Sequence, residues 1–398
     1  MILFSSHNVK SNIIWGLAMA FAFLVPLSQF LSVRVLLITC FLSILFSNGK
    51  VINLKHSWDM LVFLFVVMVG LFYTEDINSG LKILETSFSF LSIPILLNLI
   101  KPFDEVSLIK LLWAFVSGLF VACILCLAYA TISFFQSSDP ASFLFYRFTH
   151  VIDFQPTYFA YFLVFCITFC LYTLKYHKGR SRPNIIVFLA LFFFVVLMLT
   201  GGRTSFISML FVFSFFLLRV FLDQERVNAQ INVVGIVVIM VITMFTTTGF
   251  EQGDRKLVLN DSWDRFELWK SAISANTNPL LGVGTGDTKT VLNEYFLSHK
   301  MERFALDSLN SHNQFIQIYL SNGILGLLVI ILLLARPIYL SFVQGYTLGI
   351  LVFFPFILYG VTEVFLGRYQ GVVFFAFLHQ AFTTYLESSK PMISLNNV

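Results

Sequence analysis

Ile185-Ile-Val-Phe-Leu-Ala-Leu-Phe-Phe-Phe-Val-Val-Leu-Met-Leu-Thr200-Gly201-Gly202-Arg203-Thr204-Ser205-Phe206-Ile-Ser-Met-Leu-Phe-Val-Phe-Ser-Phe-Phe-Leu-Leu218 is two apolar runs joined by almost nothing. A helix of about 20 apolar residues crosses the ~30 Å hydrocarbon core of a bilayer. The stretch therefore reads as two membrane spans that turn at Gly201-Gly202, and the same pattern extends in both directions.

The whole chain fits that reading. It is 58% hydrophobic and 12% charged, with a mean hydropathy of +0.85, whereas soluble domains are about half apolar and about a quarter charged. A water-soluble fold of 398 residues could not hide so much apolar surface, and the 49 phenylalanines suit a lipid-facing exterior. The first apolar run, from about Ile13 to Leu31, is too long for a signal-peptide core and is followed by no small-residue cleavage site. It is expected to be the first transmembrane helix. Reading such runs predicts about twelve spans, centred near residues 22, 40, 65, 90, 120, 164, 191, 211, 241, 323, 353 and 377. The expected fold is all-α and integral to the membrane. Residues 1–250 hold nine spans, residues 251–310 form one large extracytoplasmic loop, and residues 311–398 hold three more.

The net charge of +4 marks no nucleic-acid partner, because no basic cluster lies on a soluble face. Cys40, Cys123, Cys126, Cys166 and Cys170 all fall in apolar stretches, so the Cys123/Cys126 spacing reads as packing, not metal chemistry. The Lys/Arg bias of short loops orients the chain. Lys175-Tyr-His-Lys178-Gly-Arg180-Ser-Arg182 is predicted to be cytoplasmic, with Lys50, Lys55, Lys101, Arg219, Arg226 and Arg336 on the same side. The acidic turn Thr74-Glu75-Asp76-Ile77-Asn78 falls outside, and both termini fall inside.

Chemistry is expected at the outer face, where long loops usually exist for function. Arg203 stands at the outer interface, the side disfavoured for arginine. The glycines before it allow an anion close to the backbone, and the following helix directs N–H groups at it. A snorkelling arginine is the alternative reading. In the large loop, Asp261-Ser-Trp263-Asp264-Arg265-Phe266-Glu267-Leu-Trp269-Lys270-Ser-Ala-Ile273 has helical spacing and is expected to be an amphipathic helix on the membrane surface. Asp261 or Ser262 would cap it, and Arg265 is either a solvated charge or a functional one. Asn278-Pro-Leu-Leu-Gly282-Val-Gly284-Thr-Gly286-Asp287 has no preceding strand and no GK[ST] ending, so it reads as a turn that redirects the chain and not as a nucleotide loop. His312 opens the next span within Ser311-His312-Asn313-Gln314, as an interface histidine or as a group suited to take a proton near neutral pH. Glu363 and Arg368 flank the last outer turn and could form an ion pair. Gln155-Pro156-Thr157-Tyr158 begins the sixth span. Glu85 is an intramembrane carboxylate with Lys82 as its possible neighbour.

In order, the set is Arg203 beside a span, Arg265 and Trp269 with three residues between them, Asn278-Pro-Leu-Leu-Gly-Val-Gly, His312-Asn313, and Asn322-Gly-Ile-Leu-Gly-Leu. This order resembles the O-antigen ligase and O-antigen polymerase superfamily. The resemblance implies a GT-C-like membrane enzyme, independent of metal and nucleotide. It would move a glycan from undecaprenyl pyrophosphate to an acceptor hydroxyl of a glycolipid such as lipid A core, of another glycan or of a protein. It implies that Arg203 and Arg265 engage the pyrophosphate and that His312 is essential. Trp269, Asn313, Glu363 and Arg368 complete the expected substrate-binding set. Where relatives carry His-Pro, this chain has Gln155-Pro156. The ligase reading stands beside a polymerase or protein-transferase reading within the enzyme class, and beside a lipid-linked glycan transporter outside it.

Overall fold

A computed structural model describes residues 6–46, 54–100, 103–176, 182–222 and 262–388, and all their regular structure is helical. In chain order the helices are α1 (Ser6–Leu24), α2 (Gln29–Phe46), α3 (Trp58–Leu71), α4 (Ile77–Ser87), α5 (Ser89–Asn98), α6 (Glu105–Ser137), α7 (Phe145–Thr149) and α8 (Pro156–Tyr176). They continue with α9 (Pro183–Thr200), α10 (Arg203–Leu222), α11 (Ser262–Ser274), α12 (Thr288–Ser298), α13 (Glu302–Leu306), α14 (Gln314–Val343), α15 (Thr347–Thr362) and α16 (Tyr369–Ser388).

Among the described residues, five stretches are long and apolar enough to cross a membrane: Ile77–Asn98, Glu105–Ser137, Pro156–Tyr176, Pro183–Thr200 and Gln314–Val343. Four shorter apolar helices, Asn12–Leu24, Gln29–Leu42, Arg203–Leu218 and Thr347–Thr362, accompany them. The chain is a multi-pass membrane protein. The run Ile13–Leu31 is not one span, because α1 ends at Leu24 and α2 starts at Gln29. Pro26 lies between them, and the residue before a proline is pushed out of helical geometry. The expected span near residue 241 lies outside the described residues.

The described residues fall in two compact units, Met1–Phe115 with Leu257–Val398, and Val116–Lys256. In the first, α14 packs against α3, α15 and α16. Its aromatic core centres on Phe356, whose ring lies 4.9 Å from Phe375, 5.7 Å from Phe374 and 5.6 Å from Phe365.

Helix α14 is broken at Asn322 (φ −130°, ψ 15°) and Gly323 (φ 63°, ψ −160°). A break frees backbone groups that an apolar interior cannot solvate. They are satisfied by the glycine segment of the large loop. Val283 N–H donates to Leu320 O at 2.9 Å, Gly284 N–H donates to Ser321 O at 3.0 Å, and Ile324 N–H donates to Pro279 O at 2.9 Å. The segment also grips α3 through Thr285, whose hydroxyl donates to Val67 O at 2.9 Å. The hydroxyl of Tyr73 donates to Leu281 O at 2.6 Å. Downstream, the carboxylate of Asp287 accepts the N–H groups of Glu75 and Asp76 at 2.9 and 2.7 Å, fastening the acidic outer turn. Ser79, through its hydroxyl and its N–H, holds the Asp76 carboxyl below the usual range. The segment turns as expected, Gly282 N–H donating to Asn278 O at 2.7 Å, and the same residues plug the break.

The other described residues of the large loop, from 262 onward, are folded. Leu268 and Ala272 of α11, with Ala275 just after it, pack on Leu292 and Phe296 of α12, Phe304 of α13, and Leu309 and Leu320. An ion pair from Arg303 to Asp264 ties α13 to α11. The apolar residues of α11 divide between two faces: Leu268 is buried, while Trp263, Phe266 and Ile273 form an exposed stripe. Asp261 lies outside the described residues.

Further along α14, buried Arg336 pairs with buried Asp59 of α3 and with Glu387 at 2.6 Å. Nε2 of His379, fully buried, lies 2.9 Å from Asp59. None of these acids and no role for His379 was singled out from the sequence.

In the second unit, α8 packs against α9 and α10, and α7 packs against α8 and α9. Gly201 (φ +60°) ends α9 in the left-handed region, and the Phe145 ring occupies the space that a side chain there would need.

Gly323→Ala would place a Cβ against the backbone of Leu280, in a conformation open essentially to glycine only. It is expected to lower stability by about 3 kcal/mol or more. Gly345, at φ +64° with nothing within 4 Å, is the control; Gly345→Ala should cost only about 1–2 kcal/mol. Thermal unfolding midpoints of the two detergent-solubilised variants check this ordering.

Candidate functional site

The site begins with the head of α14. His312 precedes it with φ +44°, in the left-handed region, and its N–H donates to Asn310 Oδ1 at 2.8 Å. Asn313 caps the helix, its Oδ1 accepting from Phe315 N–H at 2.9 Å and Ile316 N–H at 3.1 Å. This satisfies donors that a helix N-terminus leaves without partners. The other side of the same amide donates to Val361 O at 3.2 Å. Gln314, also buried, accepts the N–H of Leu366 at 2.7 Å. Two hydrogen bonds thus clamp the end of α15 and the turn after it to the residues beside His312.

Glu363 lies in that clamped turn. It leaves α15 with extended backbone (φ −147°, ψ 154°), its N–H donating to Tyr359 O at 2.7 Å. The turn is seated by the Phe365 ring on Phe356 and Phe375. One carboxylate oxygen, Oε2, lies 3.4 Å from His312 Nδ1. The other, Oε1, lies 3.8 Å from Arg265 Nη2. Arg265 also donates through Nη1 to Thr362 O at 3.0 Å. Histidine, arginine and carboxylate thus come together from three separate stretches of chain. The side chains of His312 and Glu363 are each 23% exposed and that of Arg265 34%, so the group is sheltered and still reachable.

The ion pair expected between Glu363 and Arg368 does not form: Glu363 turns to His312 and Arg265, and Arg368, beyond the short helical turn Phe365–Gly367, is exposed. Trp269, one helical turn after Arg265 on α11, is half-buried. Its indole N–H finds no hydrogen-bond partner among the described residues. The hydrogen-bonding groups of Asn313 are engaged within the fold. Glu85 and Lys82 are exposed on α4, and the Lys82 charge acts on Asp76.

Arg203 belongs to the other unit, exposed at the first position of α10 directly after the Gly201-Gly202 turn. In the same unit, Gln155 donates to the Tyr146 hydroxyl at 3.2 Å. Arg147 pairs with Asp139 at 2.5 Å, and that carboxyl is held below its usual range by the Ala141 N–H and by Arg147. Among the described residues, no three His, Cys, Asp or Glu side chains are grouped as metal ligands.

Residues 185–331 match the O-antigen ligase family. Over that stretch the chain is similar to the O-antigen ligase and polymerase superfamily. The matched stretch contains Arg203, Arg265, the glycine plug, His312 and the break in α14, and ends before Glu363. An uncharacterized protein of Haemophilus influenzae is 22% identical over 240 residues, covering 52% of this chain and 58% of that protein. Gln314 was not picked out from the sequence; its place directly after His312-Asn313 was the only signal.

Asn313→Ala should lose the cap, about 1 kcal/mol, together with the clamp on Val361. Asn313→Asp keeps the capping acceptor and loses only the clamp. Thermal unfolding is expected to rank native above Asp above Ala.

Proposed function

We propose that this protein is a glycosyltransferase of the O-antigen ligase type. It would move a glycan from undecaprenyl pyrophosphate to an acceptor hydroxyl, on lipid A core or a similar glycolipid, at the periplasmic face of the inner membrane. Both termini would then be cytoplasmic. The observation that carries this reading is the convergence of Arg265 and His312, far apart in sequence, on one sheltered carboxylate within a ligase-family chain.

The chemistry follows from the groups. The pyrophosphate gains negative charge as its bond to the sugar breaks, and guanidinium forks match phosphate oxygens in pairs. Arg265 supplies that charge beside His312, and the scheme needs no metal ion. A carboxylate can only accept, so His312 donates from Nδ1 to Glu363 and keeps Nε2 free for a proton. The acceptor O–H bond breaks, its proton passing to Nε2 of His312, while its oxygen bonds to the anomeric carbon. The bond from that carbon to the pyrophosphate oxygen breaks with its electron pair leaving on the phosphate. One displacement of this kind inverts the anomeric centre.

A broken helix is also a feature of transporters, where unwound backbone holds the cargo. Here the carbonyls freed at Leu320 and Ser321 are taken by Val283 and Gly284 of the same chain, which favours the enzyme reading.

Arg203→Ala, Arg265→Ala and His312→Ala, each with a native-like unfolding midpoint, should lower transfer by about a hundredfold or more, the scale of removing one preorganised catalytic group. Assays with purified protein, glycan-loaded donor and separate glycolipid, glycan and protein acceptors measure it. Near-native transfer by folded Arg265→Ala and His312→Ala would sink the reading. The acceptor consumed separates ligase from polymerase and protein transferase.

A further inference from the structure

Resting on the glycosyl-transfer reading, we infer that Glu363 is a positioning residue that the donor hands from Arg265 to His312. Its two oxygens face the two groups at 3.8 and 3.4 Å. Both distances exceed the roughly 2.7–2.9 Å of a tight charge-assisted bond. The carboxylate is shared loosely, while everything around it is held firmly. Its N–H is bonded to Tyr359 O, and Asn313 and Gln314 clamp the chain on either side of it. Arg265 keeps its bond to Thr362 O when its second nitrogen turns away, so the guanidinium can exchange a carboxylate for a phosphate without losing its place.

A pyrophosphate beside Arg265 meets the negative charge of Glu363. That repulsion weakens donor binding in the ground state. It is relieved when His312 takes the acceptor proton, because the imidazolium then faces a carboxylate released from Arg265. Glu363 therefore opposes the bound donor and favours the transition state, so binding and turnover respond to it in opposite directions. A substrate-binding carboxylate, or one that merely supports the fold, would not produce that split.

The test uses the full-length native protein, Glu363→Gln, Glu363→Asp, His312→Ala and the Glu363→Gln/His312→Ala double variant. Glu363→Gln should lower kcat by about a hundredfold with the donor KM unchanged or reduced, and Glu363→Asp should recover part of the loss. In the His312→Ala background, Glu363→Gln should cause no further fall, since both act through one step. Inorganic pyrophosphate, measured by calorimetry, should bind Glu363→Gln severalfold more tightly than native protein. A kcat within threefold of native, a raised donor KM at unchanged kcat, or losses that simply multiply in the double variant would overturn the inference. Should native protein transfer nothing, the glycosyl-transfer reading and the His312 step fall with it. The competition for Arg265 is still judged by pyrophosphate binding, and equal affinity in native protein and Glu363→Gln refutes it.

Discussion

The break in α14 is the constraint on which the first unit depends. An apolar surrounding offers no water to a freed carbonyl, and each unsatisfied group costs several kcal/mol. Asn322 and Gly323 interrupt the helix, and the plug from Pro279 to Thr285 supplies or receives the missing bonds. Only a segment with glycines at φ +77° and φ +111° can follow that path, and a Cβ on Gly282 would meet the backbone of Ser321 and Asn322 at 2.5 Å. Plug and break are therefore one structural device.

That device locates the chemistry. Helix α11, which carries Arg265, runs into the plug, while α14, which carries His312 at its head, contains the break. Pinning plug to break leaves both ends little freedom to part. The clamp from Asn313 and Gln314 then brings in the turn after α15, and with it Glu363. The distances among His312, Glu363 and Arg265 thus result from backbone bonding several residues away. The proposed transfer needs this kind of support, because electrostatic catalysis draws on charges fixed before the substrate arrives.

Much of this was legible in the chain and some was not. In so apolar a sequence, the apolar runs announce helices, and Arg265 and His312 stand out because charge is scarce. Pro26 was a legible signal for ending α1, yet the run from Ile13 to Leu31 masked it. The glycine segment was readable as a turn, but no local pattern says that its N–H groups meet Leu320 and Ser321. The partners of Glu363 were hidden for the same reason: Arg368 is near in sequence, whereas His312 and Arg265 are brought to it by tertiary hydrogen bonds. On α11, helical spacing identified the helix, while the sorting of Trp263 and Phe266 from Leu268 depended on where α12 and α13 pack. The charges around Asp59 and His379 were hidden because a single acid or histidine in an apolar run has no visible partner until the helices assemble.

The most direct test of the central claim is release of polyprenyl pyrophosphate from a glycan-loaded donor by the purified full-length protein, followed with and without acceptor. Release that requires an acceptor and matches, mole for mole, a new glycosidic bond of inverted configuration is the expected result. Release without acceptor, a retained configuration, or no release with any glycolipid, glycan or protein acceptor would contradict it.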